Sequence, residues 1–283
     1  MSRRSSVYCV ARPPPPPLTH PLAPRYGQTG SGKTHTMQGA GDGDMRGIIP
    51  RAVTRLAEYK RELQERGWSF DITATYMEIY CDTIRDLLRS GDSDVPHHVK
   101  HDENGDHYVT DLAQVPFDPC DAEAMREVSE AAAKRRAVSK TLLNAESSRS
   151  HSVFTLHIRT TNVEEKTRLS GKLHMCDLAG SERVEKSGAT GQQLKEAQAI
   201  NKSLSALTDV FAAISKESAH KPFRNSKLTH VLQPALSGDG KTLMLCNVSP
   251  AGASYRETLS SLRFSEHVNA CELGQARKNV AVL

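Results

Sequence analysis

The sequence has few cysteines, few aromatic residues and little net charge. Its six cysteines are far apart and form no C-x-x-C pair, which argues against a disulfide framework or a structural zinc site. Hydrophobic residues make up 37% and aromatic residues 5% of the 283 positions, enough for one core of moderate size. A formal charge of +4 is too small to attract nucleic acid to the whole chain, so an acidic polymer would need a local basic patch.

Long apolar runs are also missing. No run of eighteen apolar residues and no signal-peptide pattern is present. We therefore expect an intracellular, cytoplasmic protein in a reducing compartment, with neither a membrane nor a nucleic acid as its partner.

One segment differs from the rest in composition. Residues 13–17 are all proline, and Pro21 and Pro24 follow, which favours polyproline II structure and removes backbone donors that a sheet would need. Such a run suits a passive spacer, a linker or a ligand for an SH3-type domain. We assign residues 1–25 to a poorly ordered junction.

Downstream of residue 48, helix and strand patterns alternate. Ile49 and Val53 follow helical spacing, and residues 70–76 alternate like a half-buried strand. Asn104 and Gly105 lie between β-prone stretches and indicate a hairpin turn. We predict further helices at residues 122–138, 200–214 and 254–270, and further strands at residues 153–158, 173–176 and 242–248. Strands separated by helices indicate an α/β fold with a layered sheet.

Residues 27–34 read GQTGSGKT and satisfy the phosphate-loop pattern G-x-x-x-x-G-K-[ST] in full. The glycines let backbone N–H groups turn toward phosphate oxygens, and the helix that follows would add its positive N-terminal end. Lys33 would reach the β- and γ-phosphates, and the Thr34 hydroxyl would ligate Mg²⁺. We expect the nucleotide to contact Gly27, Gln28, Thr29, Gly30, Ser31, Gly32, Lys33 and Thr34.

A phosphate loop should follow a buried strand, and the residues before this loop do not predict one. Residues 18–26, LTHPLAPRY, contain two prolines and little apolar sequence. By itself, the loop pattern is also compatible with a glycine-rich turn that binds nothing.

Two polar segments follow. NAESSRSH, residues 144–151, lies between a helix and a strand, and by itself it would be a polar turn that caps a helix. LHMCDLAGSE, residues 173–182, ends a β-prone run in Asp177. The carboxyl end of a strand is where α/β sheets hold Mg²⁺, although an ordinary turn also uses aspartate.

Together, GQTGSGKT, N-x-x-S-S-R-S-H and D-L-A-G-S-E closely resemble the kinesin superfamily. The resemblance implies that the two serines sense the γ-phosphate and Mg²⁺, that the aspartate holds Mg²⁺ through water, and that the glycine N–H contacts the γ-phosphate. Arg149 would pair with Glu182 when the pocket closes. The implied catalytic residues are Ser147, Ser148, Arg149, Gly180 and Glu182, and the implied metal-holding residues are Thr34, Ser148 and Asp177.

The resemblance also implies a fold and a reaction. The fold would be that of a kinesin-type P-loop NTPase, with a mixed central β-sheet flanked by helices on both faces. The reaction would be ATP hydrolysis by in-line attack of water, with ATP and Mg²⁺ bound and a γ-phosphate-ordered loop as the switch. A P-loop kinase or GTPase would need an acceptor-substrate or guanine-specificity motif, and no N-K-x-D is present.

A compact basic cluster lies in HKPFRNSKLTHVLQ, residues 220–233. By itself it would be a solvated turn that leads into a helix. In the kinesin family this segment is a principal tubulin contact, and tubulin's acidic surface suits lysine and arginine. The implied partner is the microtubule, on the cytoskeleton, and the implied contact residues are Lys202, Lys221, Arg224, Asn225 and Lys227.

Softer motifs are similar to the C-terminal-motor, minus-end-directed branch, kinesin-14. They lie at residues 78–88, 99–112 and 271–279. Residues 7–13, VYCVARP, are similar to the family's first strand, which implies that Arg12 and Pro13 pack against adenine.

We therefore expect a partial motor domain at residues 26–279, a remnant of the first strand before it and a tail at residues 280–283. Between Pro13 and Tyr26 the family normally has several dozen residues, including the strand that delivers the phosphate loop, and we expect these early strands to be missing. Our hypothesis is a truncated or misassembled motor, for example through a skipped exon. No heptad run is present, so we expect a monomer, whereas full-length relatives dimerise through a coiled-coil stalk.

Two functions remain open from the sequence. The first is a microtubule-stimulated motor ATPase that drives microtubule-based movement. The second is a catalytically weak microtubule-binding module that holds nucleotide poorly, because the strand before the phosphate loop is missing.

Overall fold

The chain has an α/β fold in the computed structural model, which describes residues 22–41, 43–89, 95–103, 107–143, 147–182, 191–237, 240–273 and 279–282. The helices are α1 (Lys33–Met37), α2 (Ile48–Gln64), α3 (Ala124–Leu143), α4 (Gly191–Ser215), α5 (Lys227–Leu236) and α6 (Tyr255–Asn269). The strands are β1 (Leu22–Tyr26), β2 (Trp68–Tyr80), β3 (Thr83–Asp86), β4 (Val99–His101), β5 (His107–Val109), β6 (Val115–Pro116), β7 (His151–Asn162), β8 (Thr167–Asp177), β9 (Leu245–Cys246) and β10 (Asn279–Val282).

The central sheet has the order β3-β2-β7-β8-β1-β9, with β6 paired to β2 and β10 paired to β8. β7 is antiparallel to both of its neighbours, whereas β1 is parallel to β8 and β9. A separate hairpin pairs β4 with β5. The mixed sheet predicted from the sequence is confirmed.

Helices cover both faces of this sheet, because successive residues of a strand point to opposite sides. On one side, Val153 of β7 packs in a core with Leu207 of α4 and with residues of α5 and α6. On the other side, Phe154 packs in a second core with Val53 of α2 and Val128 of α3. The two cores confirm the expectation of helices on both faces.

The expectation that no buried strand precedes the phosphate loop was wrong. β1 lies between β8 and β9, with Leu22 and Pro24 buried. Proline donates no backbone hydrogen bond, which is why the sequence argued against a strand. Bonds at the two ends fix the strand: the Leu22 N–H donates to the Lys241 carbonyl at 2.8 Å, and the Asn247 N–H donates to the Tyr26 carbonyl at 2.8 Å.

The same edge of β8 also carries β10. Residues 279–282 pair in antiparallel fashion with residues 167–170 of β8, whereas β1 pairs with residues 174–177. Because β7 takes the other edge of β8 along its whole length, β1 and β10 share one edge. Residues 280–282, which the sequence placed in a tail, are therefore part of the sheet.

Most predicted elements occur where the patterns placed them, and their bounds differ. β7 and β8 are longer than the segments predicted at residues 153–158 and 173–176, whereas the strand predicted at residues 242–248 is reduced to β9. The β4–β5 hairpin is formed, and its predicted Asn104-Gly105 turn lies outside the described residues. Within the described part of the chain, no helix has both the length and the apolar character needed to cross a membrane.

Candidate functional site

The phosphate loop connects β1 to α1, and two of its glycines are required by geometry. Gly27 has φ 149°, and a Cβ atom there would overlap the carbonyl oxygen of Asn247. Gly32 has φ 89° and lies in the left-handed region at the start of α1. The helix spans only five residues, Lys33–Met37, so its dipole contributes less to anion binding than the sequence led us to expect.

Lys33 is folded into this loop. Its side chain is 7% exposed, and its Nζ donates a hydrogen bond to the Gln28 carbonyl at 3.0 Å. Burial, followed by repulsion from the Arg25 guanidinium, lowers the pKa of Lys33 to about 8. A phosphate group would stabilise the protonated form of Lys33, which burial disfavours, so this lysine is suited to an anionic ligand.

An anionic side chain already contacts the phosphate loop. The Glu182 carboxylate accepts the Thr29 backbone N–H at 2.8 Å and the Thr29 hydroxyl at 2.6 Å. Gly180 lies beside this carboxylate, where a Cβ atom would overlap it, and the Gly180 N–H donates to the Ser148 carbonyl at 2.9 Å. The structure therefore brings together one predicted residue from each of the three motifs.

Arg149 has a different partner from the one predicted for the closed pocket. It donates to the carboxylate of Glu196, on α4, at 2.8 Å, and the Tyr80 hydroxyl donates to the same carboxylate at 2.7 Å. Glu196 is 1% exposed, and burial together with this carboxylate raises the pKa of Tyr80 to about 12. The Arg149–Glu182 pair is not formed in this structure and stays a prediction for a closed state.

The sequence pattern predicted no role for His151, although this residue ends the NAESSRSH motif. Its Nδ1 accepts the Ala179 N–H at 3.0 Å, so Nε2 carries the proton and donates to the Ser203 hydroxyl at 2.7 Å. The ring is buried, and burial lowers its pKa to about 4. It therefore joins the start of β7, the segment after β8 and α4 as a neutral imidazole.

Arg25 was also missed, because residues 18–26 gave no strand signal. In the register of β1 and β8 it lies directly beside Asp177, and its guanidinium forms an ion pair with that carboxylate. The Arg25 Nη2 also lies 3.4 Å from the Thr34 hydroxyl oxygen, and the side chain is 1% exposed. Burial lowers the pKa of Arg25, and the hydrogen bond to Asp177 opposes that shift.

The position of Arg25 decides whether the predicted metal-holding residues fit Mg²⁺. The guanidinium lies between Thr34 and Asp177, two of the three predicted metal-holding residues. A dication there would face a fixed positive charge, and the Asp177 carboxylate that should attract it is already neutralised. The residues present therefore do not fit Mg²⁺ at this position.

The predicted polymer-contact residues lie on two neighbouring elements, because α4 packs against α5 and against the 3₁₀ turn before it. The Ser226 hydroxyl caps α5 by accepting the Thr229 N–H at 3.1 Å, and Phe223 is buried, so the turn is held firmly. The exposed residues among those predicted are Lys202, Arg224 and Asn225. The partly buried ones are Lys221 and Lys227.

Some predicted site residues cannot be placed. Arg12 and Pro13 lie outside the described residues, so the predicted adenine contact stays a prediction. The backbone of Ser147 forms a 3₁₀ turn with Ser148 and Arg149, and its side chain is not described.

Known proteins match nearly all of this chain. The sequence model of the kinesin motor domain matches residues 23–271. Kinesin-like protein KIN-14C of Arabidopsis thaliana is 47% identical over 270 residues, covering 90% of this chain and 34% of that protein. A structure described as a fast kinesin superposes with a TM-score of 0.82 at 40% identity, covering 93% of this chain and 74% of that one.

A second solved structure is described as a KIF14 dimer in complex with a microtubule, with AMP-PNP. It superposes with a TM-score of 0.81 at 34% identity, covering 92% of this chain and 74% of that chain. This chain spans about a third of the length of the Arabidopsis relative, which is 34% covered.

Proposed function

This chain belongs to the kinesin motor-domain family. On that basis we propose that it binds ATP and microtubules, and that microtubules control the rate at which it hydrolyses ATP. The observation that carries the proposal is the convergence of the three motifs. Thr29, Ser148 and Glu182 are far apart in sequence and are joined through the hydrogen bonds of Glu182 and Gly180. The relatives named above support the kinesin-14 class within the family.

Nucleotide binding would begin with an exchange of anions on the phosphate loop. The Glu182 carboxylate holds the Thr29 N–H and hydroxyl, which are donors that a phosphate group would also use. A phosphate that takes these donors releases Glu182, which then becomes available to Arg149. Lys33 would turn from the Gln28 carbonyl to the phosphate oxygens.

Helix α4 connects this exchange to the polymer-contact surface. Glu196 holds Arg149 at the nucleotide end of α4, and Lys202 lies exposed on the same helix. If Arg149 leaves Glu196 for Glu182, α4 loses a partly buried ion pair and its position changes. Attachment to an acidic polymer would therefore depend on the nucleotide.

The contact surface would bind the acidic face of a microtubule through Lys202, Lys221, Arg224, Asn225 and Lys227. Its charges suit steering and salt-sensitive affinity. The microtubule complex described for KIF14 supports this partner, and we place the protein on the microtubule cytoskeleton. In the family Mg²⁺ supplies charge neutralisation during phosphoryl transfer.

Microtubule co-sedimentation in two nucleotide states tests this proposal. We expect the affinity for microtubules to differ by about tenfold between AMP-PNP and ADP, which corresponds to about 1.4 kcal/mol of coupling. Lys33→Ala, which removes the phosphate contact, should make the two affinities equal. Equal affinities in the unsubstituted chain would contradict the proposed coupling.

One observation favours a second function, a microtubule-binding module that turns over nucleotide slowly. Arg25 fills the position between Thr34 and Asp177, so phosphoryl transfer would proceed without the charge of a dication. Co-sedimentation with microtubules but no stimulated turnover would favour this module over the motor.

A further inference from the structure

Arg25 has a donor that no described residue satisfies. Its Nη1 is buried and has no hydrogen-bond partner within the described part of the chain, whereas Nε and Nη2 face Asp177 and Thr34. Leaving a buried guanidinium donor unpaired is costly, and a phosphate oxygen is a strong acceptor for it. The phosphate loop begins two residues later, at Gly27.

We propose that the Arg25 guanidinium takes the place of a divalent cation, so that this chain binds metal-free nucleoside di- or triphosphate without help from Mg²⁺. The inference rests on the proposed function in one respect, that nucleotide occupies the phosphate loop. It goes beyond that function by naming the ionic form of the ligand and the residue that selects it.

The charges around the loop carry this inference. Arg25 and Lys33 are two buried cations beside and within the phosphate loop, and Asp177 is the carboxylate that already pairs with Arg25. A metal-free nucleotide has two more negative charges than its Mg²⁺ complex, so it gains more from the two cations. The complex would instead bring its dication against a guanidinium that the sheet holds in place.

Calorimetric titration with ADP and with ATP, in excess Mg²⁺ and in excess EDTA, tests the inference in the unsubstituted chain. We expect the two dissociation constants for each nucleotide to agree within about threefold, or to favour EDTA. In Arg25→Ala, which frees Asp177 and Thr34, Mg²⁺ should strengthen binding by about tenfold or more. Lys60→Ala breaks an ion pair with Asp118 elsewhere and should behave like the unsubstituted chain.

Electron paramagnetic resonance with Mn²⁺ in place of Mg²⁺ detects the bound metal directly and does not depend on a comparison of nucleotide dissociation constants. The unsubstituted chain should bind no more Mn²⁺ with ADP than without ADP, and Arg25→Ala should bind about one additional Mn²⁺ per bound nucleotide. Arg25→Gln serves if the alanine variant does not fold, because it keeps part of the aliphatic stem and a polar end and removes the charge.

Three results would overturn the inference, and they differ in whether the proposed function survives. Tenfold tightening by Mg²⁺ in the unsubstituted chain, with Mn²⁺ bound only when ADP is present, rejects it and leaves the proposed function intact. Nucleotide binding by Arg25→Ala but not by the unsubstituted chain means that Arg25 blocks the loop instead of replacing the metal. Binding by neither chain removes both the inference and the proposed nucleotide site.

A second inference comes from a different place, where three histidines converge. His101 ends β4, His107 begins β5 and His230 lies on α5, and one ring nitrogen from each lies within 4.8 Å of the other two. The His101 and His107 ring centroids are 3.9 Å apart, and the His107 and His230 centroids are 5.8 Å apart. The Nε2 of His230 is buried without a hydrogen-bond partner within the described residues.

We infer that these three imidazoles form a binding site for a divalent transition metal of the Zn²⁺ type. Imidazole nitrogen suits such ions, and three protein ligands with an open fourth position are a known zinc arrangement. Modest inward rotation of the rings would bring the nitrogens to the spacing that a tetrahedral ion needs. The ion would fix the β4–β5 hairpin to α5, the helix that begins at Lys227 of the contact surface.

Positively charged side chains also lie near the three histidines and oppose the binding of a metal cation. The Lys172 ammonium donates to the His107 carbonyl at 3.3 Å. The positive side chains of Arg224 and Lys227 also act on His230. These cations weaken the binding of a dication.

Titration of the purified chain with Co²⁺ alone, followed by its visible absorption, tests this site. We expect one Co²⁺ per chain with the intense bands of tetrahedral cobalt, displaced by Zn²⁺, and a loss of affinity of about tenfold or more in His230→Ala. His267→Ala removes an exposed histidine of α6 and should leave binding unchanged. Absence of these bands, or equal binding by His230→Ala, rejects the site.

Discussion

Arg25 and Asp177 lie side by side in two neighbouring parallel strands, and their side chains form an ion pair beside the phosphate loop. Asp177 is the residue that the sequence assigned to Mg²⁺. The pair therefore ties the strand that delivers the loop to the strand that ends in the DLAGSE motif, and it puts a protein cation where a metal ion was expected.

Lys33→Ala should reduce ATP turnover by about a hundredfold or more, because it removes the only positively charged side chain of the loop, which would pair with the β- and γ-phosphates. Microtubule attachment should survive in part and stay salt-sensitive, since Lys33 is buried in the phosphate loop and is not one of the predicted contact residues. Steady-state turnover and co-sedimentation measure the two effects. Turnover at the unsubstituted rate would remove the phosphate-loop assignment.

Glu182→Ala should strengthen nucleotide binding and slow turnover. The carboxylate no longer competes with phosphate for the Thr29 N–H and hydroxyl, and Arg149 loses its predicted partner in the closed pocket. We expect an ATP-bound state that stays attached to microtubules. Calorimetry and single-turnover kinetics measure it, with Glu266→Ala on the exposed face of α6 as the matched control. Unchanged affinity and turnover would contradict the proposed exchange of anions.

Replacing Lys221, Arg224 and Lys227 together by alanine should weaken microtubule attachment by about tenfold at low salt, because three positive charges of the contact surface are lost. The remaining affinity should depend less on ionic strength. Co-sedimentation over a salt series measures both. Arg126→Ala removes an exposed charge from α3 and should have no effect. If the triple variant binds normally, the contact surface lies elsewhere.

His151 should make the free energy of unfolding depend on pH. Its pKa is lowered from 6.5 to about 4 in the fold, so between these values the unfolded chain binds more protons and stability falls as pH falls. The contribution of this one group is about 3 kcal/mol, complete above pH 6.5 and lost by about pH 4. In urea unfolding at several pH values, His151→Gln should have a flatter profile than the unsubstituted chain. Parallel profiles would contradict a neutral, buried His151.

Local patterns predicted the phosphate loop and the two polar segments, because their chemistry lies within short runs of sequence. The strand before the loop was not predicted, because proline is generally excluded from central strands. Pro24 nevertheless lies in β1, which is held by its pairing with β8 and β9. Arg25 could not be assigned a partner without that strand.

Long-range partners explain the other differences. Glu196 meets Arg149 only because α4 crosses the sheet face near the 3₁₀ turn at Ser147–Arg149. His151 looked like one more polar residue of a turn, and its role depends on Ala179 and Ser203, which are distant in sequence. Such contacts follow from the packing of elements and leave no local signal.

The rate of ATP turnover by the purified chain, titrated with microtubules, tests the central claim most directly. The account predicts a rate that rises to a plateau as microtubules are added, and a Lys33→Ala chain that stays at the background rate throughout. A rate that does not change with microtubule concentration, in a chain that co-sediments with them, would contradict it.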